Sequence, residues 1–384
     1  MYGDIRIIDA HMHYAYPIAE DSLIGALKES GVDSVVLHAL PGYARLDPTP
    51  DILALKARYP ERIFAFGCLD CTDYYRSRAG LSRRLIRRVK RLLAAGCDGL
   101  KLLEGKPTMR RLYPIPDFDD PAFEGFFAYA EETRLPILWH LNDPASFWDA
   151  AQASARAREQ GWLYGENDVK ASEQLRQLRA LLERHERLNI CFAHCLFLAD
   201  QLPRLTEWME RFPNMRLDLT PAIEIYAELS GRPEEARAFL TRFSERILYG
   251  TDAGGRAVLS GAREINRAET LRRAEIVRSF LTQKGASGIR PDNDYLIGTE
   301  PFVLHGMALE RETLENIFEK SALRFLGREA PAPVDIPRAM RLCRQTMRAL
   351  RNDAGRRHVR ADLDGAQAAL DSLASARTPA RRQG

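Results

Sequence analysis

The sequence predicts an α/β protein built as a closed (β/α)8 TIM barrel with a C-terminal helical extension. Eight short apolar runs rich in β-forming residues recur along the chain, and segments with the three- and four-residue apolar spacing of amphipathic helices separate them. Eight repeated βα units favour a closed barrel over an open doubly wound sheet. No Gly-rich phosphate loop follows any run, which argues against a nucleotide-binding sheet.

The predicted strands follow one another through the first two thirds of the chain. They are IRIIDAH (5–11), SVVLHA (34–39), IFAFGCL (63–69), GLKLLE (99–104), ILWHLN (137–142), NICFAHC (189–195), MRLDLT (215–220) and ILYGTD (247–252). The segments between them include DSLIGALKESGVD and LSRRLIRRVKRLLAAGCD, which end near Gly31 and Gly96 as C-capped helices do.

The chain divides into a predicted barrel domain, 1–327, and a basic Ala/Arg-rich helical tail, 328–384. The gap between the fifth and sixth runs is too long for a simple crossover, so we expect an insertion at about 143–188 near the barrel mouth. The last 54 residues hold 11 Arg and 5 Asp although the net charge of the chain is only +3. Arginines spread through helical sequence are more often a solvated face than a nucleic-acid site.

Composition indicates an ordinary globular protein of 384 residues, 45% of them hydrophobic. The apolar stretches are shorter than the roughly 20 residues that cross a bilayer, and no basic segment followed by an apolar one begins the chain. Six cysteines in unrelated contexts form no disulfide framework. We therefore expect a cytoplasmic protein that acts on a small molecule without membrane or nucleic acid; a homo-oligomer is left open.

Four of the apolar runs end on residue types that bind metals. His11 and His13 follow the first run, His140 lies in the fifth, His194 in the sixth and Asp252 in the eighth. The carboxyl ends of barrel strands are where barrel enzymes carry their chemistry. Alternate residues of a strand point the same way, so we expect His11 and His13 to project together into the mouth.

Each residue has an ordinary structural explanation when taken alone. The HxH pattern occurs by chance, a single strand-end histidine is more often a hydrogen-bonded structural residue, and Asp252 in GTDAGG also suits a turn or helix cap. Taken together, four strand ends use four of the eight histidines of the chain. This convergence predicts a site for a divalent ion with an open position for water or substrate.

The order and spacing of these residues resemble the amidohydrolase superfamily, and within it the amidohydrolase-related branch of hydrolases and metal-dependent non-oxidative decarboxylases. The resemblance covers roughly 5–327 and rests on IIDAHMHY, PILWH, NICFAHCLFLADQLPRL, RILYGTD and LERETLENIFEKSALRFLG. It implies a distorted TIM barrel whose metal ligands are His11, His13, His140 and Asp252. It also implies that His194 is a ligand in two-metal members, and polarises substrate or positions water in one-metal members.

The fourth run places Lys101 in DGLKLLEG. Some superfamily members carry a carboxylated lysine on this strand that bridges two metals, whereas one metal is usual in the amidohydrolase-related branch, where a GxKL-type strand is common. The resemblance therefore favours one metal, with Lys101 in contact with a substrate anion or supporting a ligand.

Residues in the loops that follow the strands are expected to line the substrate pocket. The candidates are Trp139, Asn142, Asp143 and Trp148 near the end of the fifth strand, Glu224 and Tyr226 after the seventh, and Arg110 and Arg111 after the fourth. A guanidinium such as that of Arg110 pairs well with a carboxylate, but an ordinary surface position fits it equally well.

Together these expectations describe a metal-dependent hydrolase in which activated water attacks a small-molecule ester, lactone or amide. Asp252 would bind the metal and accept a proton, and His194 would orient water or stabilise the oxyanion. We expect one divalent ion, zinc, with manganese, iron and cobalt as alternatives. Two other functions stay open: a non-oxidative decarboxylase of the same fold, and a non-catalytic binding or scaffold protein.

Overall fold

Eight parallel strands surround the centre of the molecule. The structure, a computed structural model, describes residues 3–41, 46–222, 225–289, 302–351 and 359–377. The strands pair in sequence order, which confirms the predicted (β/α)8 barrel. They are β1 (Ile8–His13), β2 (Ser34–His38), β3 (Ile63–Cys68), β4 (Gly99–Gly105), β5 (Ile137–Leu141), β6 (Ile190–Phe192), β7 (Met215–Asp218) and β8 (Ile247–Leu248). A separate antiparallel pair joins β9 (Lys284–Ala286) to β10 (His305–Met307).

Helices connect the strands and surround the sheet. They are α1 (Glu20–Glu29), α2 (Thr49–Arg58), α3 (Leu81–Ala95), α4 (Pro107–Leu112), α5 (Pro121–Glu132), α6 (Ala155–Glu159), α7 (Ala171–Arg184), α8 (Leu202–Arg211), α9 (Ile225–Gly231), α10 (Pro233–Arg242), α11 (Gly255–Ser260), α12 (Arg267–Thr282), α13 (Arg311–Glu315), α14 (Ser321–Leu326), α15 (Ile336–Arg351) and α16 (Val359–Arg377). Among the described helices none is long and apolar enough to cross a lipid bilayer.

The first and last strands meet through backbone hydrogen bonds that nearly close the barrel. The N–H of Ala10 donates to the carbonyl of Tyr249 at 2.9 Å, and the N–H of Asp252 donates to the carbonyl of His11 at 2.8 Å. Asp9 fastens the same seam, because its carboxylate accepts hydrogen bonds from the hydroxyl and the N–H of Thr251. The first and last strands of the barrel are thereby held side by side.

A bulge in β1 explains how this strand points apolar side chains into the barrel interior and histidines into the barrel mouth. The β1–β2 pairing shifts register between Asp9 and Met12. Ile8 and Ala10 belong to the cluster that fills the barrel interior, and His11 and His13 line the cavity above it. An extra residue in a strand reverses the face on which the following side chains lie. Without it, the histidines would point away from the interior that Ile8 and Ala10 fill.

The N-terminal end of the barrel is closed by packing. Phe325 and Leu326 of α14 belong to one buried cluster with apolar residues of six different strands, including Phe64, Phe66 and Leu138, and the ring of Phe325 packs against that of Phe66. Because apolar side chains occupy this end, only the opposite end has room for a ligand.

The gap between β5 and β6 contains α6 and α7. Before α7, a small apolar cluster of Phe147, Trp162 and Tyr164 packs near Leu259 of α11 and covers one side of the mouth. The tail helices α15 and α16 pack against each other and against α2. The domain boundary at 327/328 and the insertion at 143–188 stay predictions.

Candidate metal centre

His11 is fixed at the centre of the mouth by a carboxylate behind it. Its ring is 1% exposed, and its Nδ1 donates to Oδ2 of Asp218, at the end of β7, over 2.8 Å. This bond leaves Nε2 with its lone pair on the cavity side, where the ammonium of Lys101 donates to it over 2.9 Å. Burial and the charge of Lys101 hold the pKa of His11 well below its usual value, so the ring is neutral. A carboxylate–histidine pair of this kind is typical of metal ligands.

His13 has a similar support from the backbone. Its Nδ1 donates to the carbonyl of His38 over 3.1 Å, which again leaves the Nε2 lone pair facing the cavity. His38 itself is fully buried and its Nε2 donates to the carbonyl of Ala10 over 2.8 Å. His38 therefore fastens β2 to β1 and supports His13 from behind.

Asp252 completes the group. Its Oδ1 lies 2.9 Å from Nε2 of His13 and 3.7 Å from Nε2 of His11. A ring nitrogen of His194 lies nearby. One ligand atom each of His11, His194 and Asp252 lie within 4.8 Å of one another. The end of β1, the turn after β6 and the loop after β8 thus meet at one point.

The donor set fits a divalent cation. Both histidine Nδ1 atoms already donate, so lone pairs of His11, His13 and Asp252 face one another across short distances. Lone-pair atoms at 2.9 Å need a proton or a cation between them. Neutral imidazoles together with one carboxylate are the ligands that zinc and related first-row ions take.

His194 lies in an unusual backbone turn. His194, Cys195, Leu196 and Phe197 all have left-handed backbone angles, with φ between 49° and 57°. Four such residues in succession are unfavourable for L-amino acids. The N–H of His194 donates to Oδ1 of Asp218, which helps to hold the turn. Backbone strain of this kind clusters at functional sites.

The tautomer of His194 is fixed by Thr220. The Nδ1 of His194 lies 2.8 Å from Oγ1 of Thr220, whose hydroxyl donates in turn to Asp218. His194 Nδ1 is therefore the donor and its other nitrogen carries a lone pair. Burial lowers the pKa of His194 to about 4, so this ring is also neutral near pH 7.

His140 lines the same cavity but belongs to a different cluster. Its Nε2 lies 3.1 Å from Oδ1 of Asp143, and the ammonium of Lys106 contacts both oxygens of that carboxylate. Tyr164 donates its hydroxyl to the other oxygen, and the Lys106 ammonium lies 4.5 Å from the ring centroid of Trp162. The covering segment before α7 is thus tied to the barrel through Asp143.

Lys101 connects the metal centre to the cavity. It is 1% exposed, and its ammonium donates to Nε2 of His11 over 2.9 Å. Burial lowers the pKa of Lys101 to about 8. Lys101 would compete with an ion for the His11 lone pair, so it must turn toward the cavity when an ion binds there.

Arg273 of α12 reaches the site from outside the barrel strands. It is 4% exposed, and its guanidinium donates to the carbonyls of Pro221 and Thr251 and to Glu269. One nitrogen lies 3.9 Å from Oδ2 of Asp252. Arg273 therefore joins the loops after β7 and β8.

The central cavity has a volume of about 120 Å³. Apolar side chains form much of its wall, among them Leu40, Leu103, Phe147, Phe197, Pro221 and Leu259. Among the described residues, the ionisable side chains in its lining, apart from the histidines, are Lys101, Lys106, Arg256, Arg273, Asp143 and Asp252. Cations outnumber carboxylates there, which favours a ligand with both an apolar part and a negative charge.

Of the predicted substrate contacts, Lys101 and Asp143 line this cavity. Arg110 pairs with Asp117 and Gln177. The amide of Asn142 contacts Gln174, and the rings of Trp148 and Tyr226 pack against Tyr164 and Phe280. Glu224 lies outside the described residues. A substrate contact for these residues stays a prediction.

A sequence model of the family described as Amidohydrolase matches residues 8–328. The chain belongs to the amidohydrolase family. The resemblance predicted from the strand-end motifs is thereby confirmed, as is the prediction of an enzyme. Members of this metal-dependent family act on small molecules, so the alternative of a non-catalytic scaffold is set aside.

Solved structures share the fold of this amidohydrolase at low sequence identity. An uncharacterized TIM-barrel protein from Bordetella bronchiseptica is 12% identical with a TM-score of 0.52, over 84% of this chain and 99% of that chain. A 2,6-dihydroxybenzoate decarboxylase, crystallised with 2,6-dihydroxybenzoate, is 15% identical with a TM-score of 0.50, over 84% and 99%. A 5-carboxyvanillate decarboxylase from Sphingomonas paucimobilis is 13% identical with a TM-score of 0.50, over 85% and 100%. No curated protein matches the chain.

Sequence reasoning missed several residues of the site. Asp218 ends β7, so the strand-end criterion that selected Asp252 would also have selected it. Lys106 and Arg273 lie just after β4 and on α12, where no local pattern distinguishes them from other basic residues.

Proposed function

We propose that this amidohydrolase is a metal-dependent hydrolase that cleaves an ester, lactone or amide bond in a small molecule carrying a negative charge. The observation that carries this proposal is the convergence of lone pairs from His11, His13 and Asp252 at the mouth of the barrel. The hydrogen bonds from His11 to Asp218 and from His13 to the His38 carbonyl orient both rings toward the same point.

The ion would be held by His11, His13 and Asp252, with His140 as the fourth ligand expected from the sequence. His140 would bind through Nδ1 while its Nε2 stays with Asp143, because Nδ1 makes no hydrogen bond with the described residues. The imidazole-rich set favours zinc, with manganese, iron and cobalt as alternatives. When bound, such an ion polarises the substrate and lowers the pKa of water toward neutrality.

Asp252 would accept the proton of the attacking water, and His194 would orient that water. The Asp252 carboxylate is the anionic acceptor in the group, and it receives the proton that the water loses. His194 is neutral with its proton on Nδ1, so its other nitrogen accepts a hydrogen bond from water. In this state His194 orients the water and does not donate to an oxyanion.

Lys101 and Arg273 would hold the negative charge of the substrate. Lys101 has no carboxylate in direct contact among the described residues, and it hydrogen-bonds only to His11. Arg273 places its guanidinium beside Asp252. A substrate anion at this position faces two fixed cations and turns its reactive bond toward the metal centre.

A panel of lactones, esters and amides, each with and without a carboxylate, tests the proposal. We expect turnover of carboxylate-bearing substrates that chelation abolishes and zinc restores. Lys101→Met should raise KM for these substrates more than for their neutral analogues. Equal effects on charged and neutral substrates would contradict the role of Lys101.

Non-oxidative decarboxylation is a second candidate, and the excess of cations in the cavity favours it. The same lysine and arginine would hold the carboxylate that leaves as carbon dioxide, and an acidic group would protonate the carbon. Carbon dioxide release from hydroxybenzoates without turnover of lactones, esters or amides would replace hydrolysis with this reaction.

A further inference from the structure

The groove between α3 and α15 is a second cavity, separate from the metal centre. Its volume is about 350 Å³, and it shares no lining residue with the central cavity. One wall is formed by four arginines of α3, and the opposite wall by Gln345, Thr346 and Ala349 of α15. The 3-10 turn Cys71–Tyr75 and its flanking residues close one end.

Positive charge is concentrated on both helices. The α3 sequence LSRRLIRRVKRLLAA contains six cations and no acidic residue. The α15 sequence IPRAMRLCRQTMRALR contains five arginines and no acidic residue. Two helices of this composition that pack side by side repel each other electrostatically unless anions lie between them.

Three carboxylates already lie in the groove, and their partners are known. Asp47 pairs with Arg88 at 2.8 Å and Asp73 pairs with Arg84 at 3.2 Å. Arg76 also pairs with Asp73, and the side chain of Asp70 caps the 3-10 turn by accepting from Thr72. These carboxylates are therefore committed to the inner arginines and to the turn.

Arg87 and Arg91 are the two arginines of the described lining that these carboxylates do not neutralise. Both line the cavity and are exposed, and neither has an acidic partner among the described residues. They are four residues apart on α3, so their guanidinium groups emerge on the same face about 6 Å apart along the helix axis. One guanidinium binds phosphate oxygens through two parallel hydrogen bonds, so each of these arginines can hold one phosphate group.

We propose that this groove binds a small molecule carrying at least two phosphate groups, held by Arg87 and Arg91. Among the described residues the lining has five arginines and three carboxylates, so positive charge is left over to attract phosphate groups, one at each of Arg87 and Arg91. Gln345 offers a neutral polar group on the facing wall, while the hydroxyl of Thr346 already donates to Asp47. The part of the lining that the structure describes contains no aromatic side chain on which a nucleic-acid base would stack, which favours a small phosphorylated molecule over single-stranded nucleic acid.

Isothermal titration of the full-length, metal-loaded protein tests the site, with ionic strength held constant. The probes are fructose 1,6-bisphosphate, fructose 6-phosphate, fructose and oligothymidylate. We expect saturable 1:1 binding of the bisphosphate, weaker binding of the monophosphate and none of fructose. Arg87→Gln/Arg91→Gln should weaken bisphosphate binding about tenfold or more.

Arg83→Gln is the matched control, because Arg83 is exposed on the same helix but lies beside Asp120 in a different surface depression. It should bind the bisphosphate as the unchanged protein does. Equal losses in the control and the double variant would show general charge attraction and overturn the proposal. Binding that persists in the double variant would place the bisphosphate elsewhere, and tighter binding of oligothymidylate than of the bisphosphate would make the groove a nucleic-acid site; both outcomes would also overturn it.

Discussion

The Nε2 atom of His13 lies 2.9 Å from Oδ1 of Asp252, while the Nδ1 atom of the same ring already donates to the carbonyl of His38. Residues 239 positions apart in the sequence thereby place two lone pairs against each other. The backbone fixes this relationship, because the N–H of His13 donates to the carbonyl of Ala253 at 2.8 Å. The backbone contacts that close the barrel therefore also bring the candidate metal ligands together.

Replacing Asp218 should weaken metal binding without removing any ligand. Asp218→Asn removes the anionic acceptor of His11 Nδ1, so the ring loses its fixed tautomer and part of its basicity. The metal affinity of the folded protein should fall about 10–100-fold, measured by competition with a chromogenic chelator. Asp168→Asn, which removes a carboxylate paired with Arg111 outside the cavity, is the control. An unchanged affinity in Asp218→Asn would show that His11 is not a ligand.

Two glycines that flank α11 provide a matched pair. Gly254 and Gly261 both have positive φ, but a Cβ on Gly254 would lie 2.1 Å from the carbonyl oxygen of His13, whereas a Cβ on Gly261 meets nothing within 4 Å. Gly261→Ala should lower the free energy of unfolding by about 1–2 kcal/mol through backbone strain alone. Gly254→Ala should cost more and should also reduce the bound metal, because His13 must move. Equal metal contents in the two variants would contradict this account.

Lys106 and Asp143 form a buried ion pair, so the effect of replacing Lys106 on the free energy of unfolding should depend strongly on whether Asp143 is present. Lys106→Met leaves the Asp143 carboxylate buried without its cation, and should destabilise the protein by about 3–5 kcal/mol in urea unfolding. The double variant Lys106→Met/Asp143→Leu removes both charges and should recover most of this loss. If the double variant is less stable than Lys106→Met, Asp143 depends mainly on His140 and Tyr164 instead.

Asp47 should make a measurable contribution to acid unfolding. Burial raises the pKa of Asp47, but the charge of Arg88 and the hydrogen bonds from Thr49, Arg88 and Thr346 outweigh burial and hold the pKa below its usual value of 3.8. Because the folded state lowers this pKa, the ionised carboxylate stabilises the fold above pH 3.8, and the stabilisation is lost as the pH falls through the folded value.

The free energy of unfolding of Asp47→Asn, measured in urea, should therefore differ most from that of the unchanged protein above about pH 5. The difference should shrink as the pH approaches 3. Asp364→Asn, on the exposed face of α16, is the control. A difference that stays constant from pH 3 to pH 7 would contradict the assignment.

The fold was predictable because each strand is buried on both faces. Runs such as IFAFGC of β3 are continuously apolar, and this pattern together with the helical spacing between runs specifies a parallel barrel. The ends of β6 and β8 were less predictable. The runs ending in His194 and Asp252 look extended, but both residues adopt positive φ, with values of 55° and 56°. Contacts from other elements, such as the bond from the His194 N–H to Asp218, impose these turns.

The candidate site was predictable where strand order alone brings residues together. His11, His13 and Asp252 meet because the first and last strands of a closed barrel are neighbours. The tie of His140 to Asp143, and the approach of Arg273 from α12, depend on loop paths that local sequence does not specify. The substrate contacts predicted for Arg110 and Tyr226 rested on sequence proximity to a strand end and stay predictions; in the structure Arg110 pairs with Asp117 and Tyr226 packs against Phe280.

The metal content of the purified protein, measured by elemental analysis together with hydrolytic activity, tests the central proposal most directly. We predict one divalent ion per chain, loss of activity on chelation, recovery on addition of zinc, and almost no bound metal in Asp252→Asn. Activity that survives complete removal of metal would contradict a metal-dependent reaction. Two ions per chain, with loss of both in Lys101→Ala, would contradict the single-ion centre.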